Sequence, residues 1–267
     1  MVKGSSLVNK VAVVTGASSG IGRATALELA REGSLVALAA RTESRLEQVA
    51  TVIRAMGREA LVVPADVTSR DDVDRLVAET LSRWGHVDIL VANAGAYVRS
   101  PVTELTVGDV ERSMAVNFYG ALHAVLAVQP HLLEQGDGHI VLVSSLDGKK
   151  GLPLDAPYVA AKFALAGYGD VLRQELQGRG VAVTTVFPGR VDTPLIDTLA
   201  VPEISPKIPP QAVARAIIGA IRRRKPEVIV PPRAWLLHLA NVLSPRLADW
   251  AVRTLQLQGW EKRNGDR

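Results

Sequence analysis

Short runs of β-branched and aliphatic residues alternate along the chain with longer segments in which apolar positions recur at helical spacing. The runs are Val11 to Thr15, Leu35 to Ala40, Ala60 to Pro64, Ile89 to Ala92, His139 to Ser144, Val181 to Phe187 and Val228 to Val230. Near-continuous apolar runs of this length suit strands covered on both faces, as in a parallel sheet. The intervening segments 20–32, 43–56, 70–84, 104–134, 157–177 and 210–224 predict helices, several opening with Ser, Thr or Asp. Gly33, Gly57, Gly85, Gly136 and Gly178 mark where helices stop. Strand and helix in steady succession describe repeated βαβ units. The predicted fold is α/β: one Rossmann-like, doubly wound domain over 1–267, with a seven-stranded parallel sheet and a helical C-terminal extension.

Two stretches break the alternation. Residues 190–210 hold Pro194, Pro202, Pro206, Pro209 and Pro210 among isolated apolar residues, the composition of a mobile loop over a substrate site. Residues 231–267 place Leu236, Leu239, Ala240, Leu243, Leu247, Trp250 and Ala251 at helical spacing, divided by Pro245 and flanked by Arg233, Arg246 and Arg253. Such an amphipathic pair suits three roles: a cover for the cleft, a subunit interface, or a contact with a membrane surface. The uncharged stretch Ser113 to Leu133 has the length of a membrane span. It contains Asn117, Gly120, His123, Gln129, Pro130 and His131, so it reads as a buried helix of a soluble fold.

Composition limits the chemistry. At 48% hydrophobic and 22% charged, the 267 residues can build a core and are not a disordered chain. The absence of Cys excludes disulfides, thiolate metal sites and a cysteine nucleophile; redox chemistry must be borrowed from a cofactor, and no metal site is expected. An aromatic share of 4%, with no reader motif, argues against nucleic acid as a partner. The net charge of +4 is uneven, because residues 215–267 hold 11 Lys/Arg against 4 Asp/Glu. A basic end of this kind suits a solvated surface, an acidic partner or an anionic membrane. Met1 to Lys10 carry no apolar run of signal-peptide length, which predicts a cytoplasmic protein, with peripheral membrane contact open to the extension.

The first strand runs into Thr15-Gly16-Ala17-Ser18-Ser19-Gly20-Ile21-Gly22 and then an Ala- and Leu-rich helix. Three glycines in one strand-to-helix turn let the backbone approach a pyrophosphate held by helix N–H groups. The G-x-x-x-G-x-G spacing differs from the G-x-G-x-x-G fingerprint. The second strand ends in Ala39-Ala40-Arg41, where NAD-binding domains carry an acidic residue. A guanidinium suits a 2′-phosphate, so NADP is expected over NAD, although Glu43 lies two residues on. Further along, Ser144-Ser145 closes a strand, and Tyr158 and Lys162 share one helix face. A neighbouring ammonium and a positive nicotinamide would draw a phenol's pKa down from about 10 toward the working range. A serine hydroxyl nearby could donate to a carbonyl oxygen gaining charge. By itself a Tyr-x-x-x-Lys pair equally suits a packed helix face.

Together, Thr15 to Gly22, Asn93-Ala94-Gly95, Asn117, Ser145 thirteen residues before Tyr158, Lys162 and Pro188-Gly189 resemble the short-chain dehydrogenase/reductase family, in its compact single-domain branch. The resemblance covers roughly residues 8 to 230. It implies Tyr158 as general acid/base, Lys162 as its tuner and a ribose ligand, Ser145 as the group orienting the substrate oxygen, and Asn117 as anchor of a water relay. It implies cofactor contacts from Gly16, Ser18, Gly20 and Ile21 to pyrophosphate, from Arg41 to the 2′-phosphate, and from Asp66 and Val67 to adenine. Asn93 and Gly95 would lie on the ribose side, while Val191 and Thr193, past Pro188 and Gly189, would meet the carboxamide. Two departures stand out: Ala92 where many members have Asn, and no basic residue at Ser19, which leaves the NADP preference to Arg41.

The resemblance implies an NADPH-dependent carbonyl reductase or alcohol dehydrogenase, working as a dimer or tetramer. The alternatives are an NAD-linked dehydrogenase of the same fold and a nucleotide-sensing protein without turnover. The expected pocket walls, including Gly148 to Asp155, offer no diagnostic polar group; Lys149, Lys150 and Asp155 could contact the substrate, but surface positions are expected for them. Apolar surroundings suit a hydrophobic ketone or secondary alcohol.

Overall fold

Every residue of the first strand, β1 (Val11–Thr15), is buried, and its side chains divide between two cores. Ala12 and Val14 join one hydrophobic cluster and Val13 the other, as the two-residue period of a strand requires. The same division runs through β2 (Leu35–Ala40), β4 (Ile89–Ala92) and β5 (Gly138–Val143). With β3 (Ala60–Pro64), β6 (Val181–Pro188) and β8 (Glu227–Val230) these strands form one sheet in the order β3-β2-β1-β4-β5-β6-β8. Every neighbouring pair is parallel. This is the computed structural model of the chain, and it describes residues 6–261. Residues 1–5 and 262–267, the latter the end of the expected extension, lie outside the described residues.

One face of the sheet is covered by α1 (Gly20–Arg31), α2 (Glu43–Ala55) and α7 (Pro210–Arg223), through residues such as Leu29, Ile53 and Ile217. The other is covered by α3 (Arg70–Trp84), α5 (Gly120–Gln135) and α6 (Ala156–Glu175), through Leu76, Leu132 and Leu165. Each such fully buried aliphatic side chain contributes about 1.5–3 kcal/mol relative to exposure. The strand order reverses between β1 and β4, so a crevice opens at their C-terminal ends, where open α/β sheets bind ligands.

The structure departs from expectation at two places. The helix expected over 104–134 is divided into α4 (Val107–Met114), a wide π turn over Ala115–Tyr119, and α5. The π turn contains Asn117, whose side chain donates to the Ser113 carbonyl four residues back at 3.0 Å and to the distant Ala96 carbonyl at 2.8 Å. The Pro-rich stretch 190–210 is also more ordered than a free loop. Val191 bridges to Ile208, and β7 (Leu199–Ala200) pairs antiparallel with β9 (Trp260–Glu261) from the far end of the chain. The extension forms α8 (Trp235–Leu243) and α9 (Pro245–Thr254) as expected, and α8 folds back over the crevice, one of the three roles open to it.

Candidate active site

The turn after β1 is shaped by close approaches that only glycine permits. Gly16 and Gly20 have φ of +66° and +53°, and a Cβ on Gly16 would come within 2.9 Å of the Ala94 backbone. A Cβ on Gly22 would collide with the Gly16 carbonyl. Thr15 Oγ1 ties this turn to the end of β4 by accepting from the backbone N–H groups of Asn93 (3.0 Å) and Ala94 (3.1 Å). Asn93 Nδ2 donates to the Thr15 carbonyl at 3.0 Å, so its side chain braces the glycine turn.

The residues present fit a dinucleotide. Ser19 caps α1 without any side-chain hydrogen bond, which leaves the first-turn N–H groups for an anion. Thr193 approaches from the segment after β6 and would lie 2.9 Å from a Cβ on Gly20, closing one side of the cradle. Arg41 is exposed at the end of β2, and among the described residues its side chain has no hydrogen-bond or ion-pair partner. After β3, Asp66 Oδ1 accepts from Thr68 N and Oγ1 at 2.9 and 2.8 Å, while Val67 is buried against Gly120. Gly95 faces Asn117, whose Oδ1 would lie 2.9 Å from a Cβ there, and Asn117 is fully buried.

One cavity joins the two halves of the predicted site. Ser145 and Tyr158 line it together with Ile21, Pro188, Gly189, Val191 and Thr193. Tyr158 is buried against Tyr97, edge to face with ring centroids 5.0 Å apart. Lys162, one helical turn on, is also buried and donates from Nζ to the Val143 carbonyl at 3.0 Å. Burial draws the Lys162 ammonium down to a pKa of about 8, opposed by the charge of Asp147. Burial raises the Tyr158 pKa, the Asp147 and Asp155 carboxylates raise it further, and only the Ser145 hydroxyl opposes them. Lys162 Nζ, engaged by the Val143 carbonyl, lies 5.5 Å from the Tyr158 ring centroid.

The cavity also holds polar groups that the motifs did not announce. Asp155, expected at the surface, is 1% exposed and accepts from Tyr97 Oη and Arg99 Nε, each at 2.9 Å. Asp147 Oδ2 accepts from Ser145 Oγ at 3.0 Å, and its Oδ1 is buried without a hydrogen-bond partner. Burial lifts this carboxyl to a pKa of about 7, helped by Asp155 and opposed by Ser145, Arg190 and Lys162. Arg190 lines the same wall and donates to Ser205 Oγ at 3.0 Å. Sequence signals existed for two of these: Asp147 stands two residues after Ser145, and Arg190 directly follows Pro188-Gly189. Tyr97 and Asp155 carried none, since their pairing joins positions 58 residues apart. Lys149 and Lys150 sit at the cavity edge, paired with Glu227 and Asp249 at 2.7 and 2.6 Å. Ala234, Leu237 and His238 cover the cavity together with Leu257, so the extension acts as its roof.

Comparison with known proteins places these features in context. The profile of the family described as short chain dehydrogenase matches residues 10–202. A Bacillus subtilis (strain 168) protein described as uncharacterized oxidoreductase YxnA is 35% identical over 253 residues, covering 91% of this chain and 71% of that protein. A short-chain dehydrogenase/reductase from Burkholderia phymatum, solved in complex with NAD, superposes with a TM-score of 0.84 at 27% identity, covering 91% of this chain and 96% of the other. A variant of actinorhodin polyketide ketoreductase with NADPH superposes with a TM-score of 0.77 at 31% identity, over 83% and 95% of the two chains.

Proposed function

Since the chain belongs to the short-chain dehydrogenase/reductase family of oxidoreductases, we propose that it is an NADPH-dependent carbonyl reductase acting on a hydrophobic ketone, or on the matching secondary alcohol in reverse. The observation that carries this reading is the single cavity shared by Ser145 and Tyr158 and by Ile21, Val191 and Thr193 from the cofactor side. NADPH, held by Gly16, Ser18, Gly20, Ile21 and Arg41, would supply the hydride; Asp66, Val67, Asn93, Gly95, Pro188, Gly189, Val191 and Thr193 complete its cradle in this reading. Tyr158 donates a proton to the carbonyl oxygen, a role that suits a phenol whose burial keeps it protonated at neutral pH. Ser145 donates a hydrogen bond to the same oxygen, Lys162 places a positive charge beside the phenol, and Asn117 anchors the proton path. The reading includes a cytoplasmic homo-oligomer, dimer or tetramer. The exposed Tyr119, Leu126, Phe163 and Val171 supply apolar surface for its contacts. A panel of steroids, acyl ketones, sugars and aromatic ketones, scored by NADPH oxidation, tests the substrate class.

The cofactor choice rests on Arg41. Charge-assisted hydrogen bonds to a 2′-phosphate contribute about 1.5–3 kcal/mol, so Arg41→Ala is expected to weaken NADPH binding about 10- to 100-fold and leave NADH binding unchanged. Fluorescence titration with both dinucleotides checks this. A variant that loses neither, or loses NADH affinity equally, would favour the NAD-linked alternative, for which the exposed Glu43 is available.

A pH dependence follows from Asp147. Above about pH 7 its carboxylate holds the Ser145 proton; below it the neutral carboxyl releases the Ser145 hydroxyl to the substrate oxygen. Carbonyl reduction should therefore fall as pH rises through about 7, and Asp147→Asn should remove that inflection while lowering kcat by less than about tenfold. Profiles of kcat against pH for both proteins are the check, and an inflection that survives the substitution assigns it to another group.

A further inference from the structure

The roof of the cavity has a second side. Toward the body, Leu237 and His238 of α8 line the cavity and Ala248 and Val252 of α9 are buried. Away from it, Trp235, Leu236, Val242, Leu243, Leu247 and Trp250 are between 48% and 74% exposed, and no residue of α8 is fully buried. A single exposed leucine is ordinary, but six large apolar side chains on one helical pair mark an interaction surface.

Charge indicates what that surface meets. Arg246 and Arg253 are exposed at i−4 and i+3 from Trp250, and Arg233 stands exposed just ahead of α8. The extension's acidic residues among those described, Asp249 and Glu261, are both engaged by the body of the domain. Asp249 accepts from Lys150 Nζ at 2.6 Å and Glu261 from Arg99 at 3.1 Å. The free charge beside the apolar patch is therefore cationic. A second copy of the chain would bring the same arginines against themselves across a two-fold axis, with no unpaired carboxylate to receive them. An anionic bilayer answers both parts of the surface, with hydrocarbon for Leu and Trp and phosphates for Arg.

We propose that the outer face of α8 and α9 docks on an anionic membrane surface, with Trp235 and Trp250 at the headgroup boundary and Arg233, Arg246 and Arg253 on lipid phosphates. The contact is peripheral, since no helix among the described residues is long and apolar enough to cross a membrane. With lipid on one side of α8 and the cavity on the other, an apolar carbonyl compound enters from the bilayer. That entry step rests on the reductase reading; the docking does not.

The test is co-sedimentation of the full chain with vesicles of phosphatidylcholine alone or mixed with phosphatidylglycerol, at low and high salt. Binding to the anionic vesicles at low salt is expected to exceed binding to the neutral ones at least about tenfold, and to be lost at high salt, with a blue shift of tryptophan emission. Leu243→Asp combined with Trp250→Ala is expected to reduce it at least about tenfold, and Arg246→Glu with Arg253→Glu to remove the anionic preference. Circular dichroism melting checks that each variant is folded; should the first pair fail to fold, the arginine pair decides. The proposal is overturned if the chain ignores anionic vesicles at low salt, or if the folded variants bind like wild type. It is equally overturned if sedimentation equilibrium shows a dimer that these substitutions dissolve. NADPH oxidation is read in none of these arms, so a failed reductase reading leaves their outcome standing.

Discussion

Tyr158→Phe is expected to lower kcat/KM for carbonyl reduction at least about 100-fold, the usual contribution of a positioned general acid. The substitution removes only the hydroxyl. The ring keeps its edge-to-face contact with Tyr97, 5.0 Å between centroids, so the pocket wall and the cofactor cradle are left in place. NADPH affinity should stay within about twofold of wild type, which separates loss of the proton from loss of binding. Steady-state kinetics on a confirmed substrate, paired with a binding titration, measure both quantities. A fall of less than tenfold would mean that the proton comes from another group; Asp147 is then the first to examine, since its carboxyl lies at about 7 in the same cavity.

The second large effect is expected at the glycine turn. Gly22→Ala would drive a methyl group into the Gly16 carbonyl and the Asn93 side chain, both fixed by the braces between β1 and β4. Backbone must move. Overpacking of this kind costs about 1–3 kcal/mol of stability, and the displaced turn should weaken NADPH binding more than about 100-fold. Gly167→Ala in α6 is the matched control. Nothing lies within 4 Å of its Cβ position, and a helix-interior Gly→Ala change is expected to stabilise by about 0.5–1 kcal/mol. Thermal melts and NADPH titrations on the two variants should move in opposite directions for stability, with only the first losing the cofactor.

The sheet was legible because its strands are buried on both faces. Runs such as Val11 to Thr15 and Leu35 to Ala40 have no polar alternation to blur their limits. The break at Asn117 was not legible, because the π turn depends on a bond to Ala96 that only the folded chain supplies. Ser145, Tyr158 and Lys162 stood out by spacing; in the structure Ser145 and Tyr158 line one cavity, and Lys162 lies buried one helical turn beyond Tyr158. Their electrostatics could not be read in the same way. Spacing places an amine near a phenol, but the balance between that charge and burial depends on Asp147, Asp155 and the packing around them. Asp155 illustrates the same limit: a lone acid before a helix looks exposed until Tyr97 and Arg99 are seen to enclose it. The role of the extension at the cavity was one of three open options, and Leu237 and His238 decide that it covers the cleft.

Isotope transfer shows whether NADPH and a carbonyl compound meet beside Tyr158. With NADPH deuterated at the nicotinamide C4 position, the alcohol formed from an accepted ketone should carry one deuterium on the former carbonyl carbon, seen by mass spectrometry, and Tyr158→Phe should suppress its formation. Tight NADPH binding with the label still on the cofactor after the whole ketone panel would contradict the claim and favour a nucleotide-sensing protein.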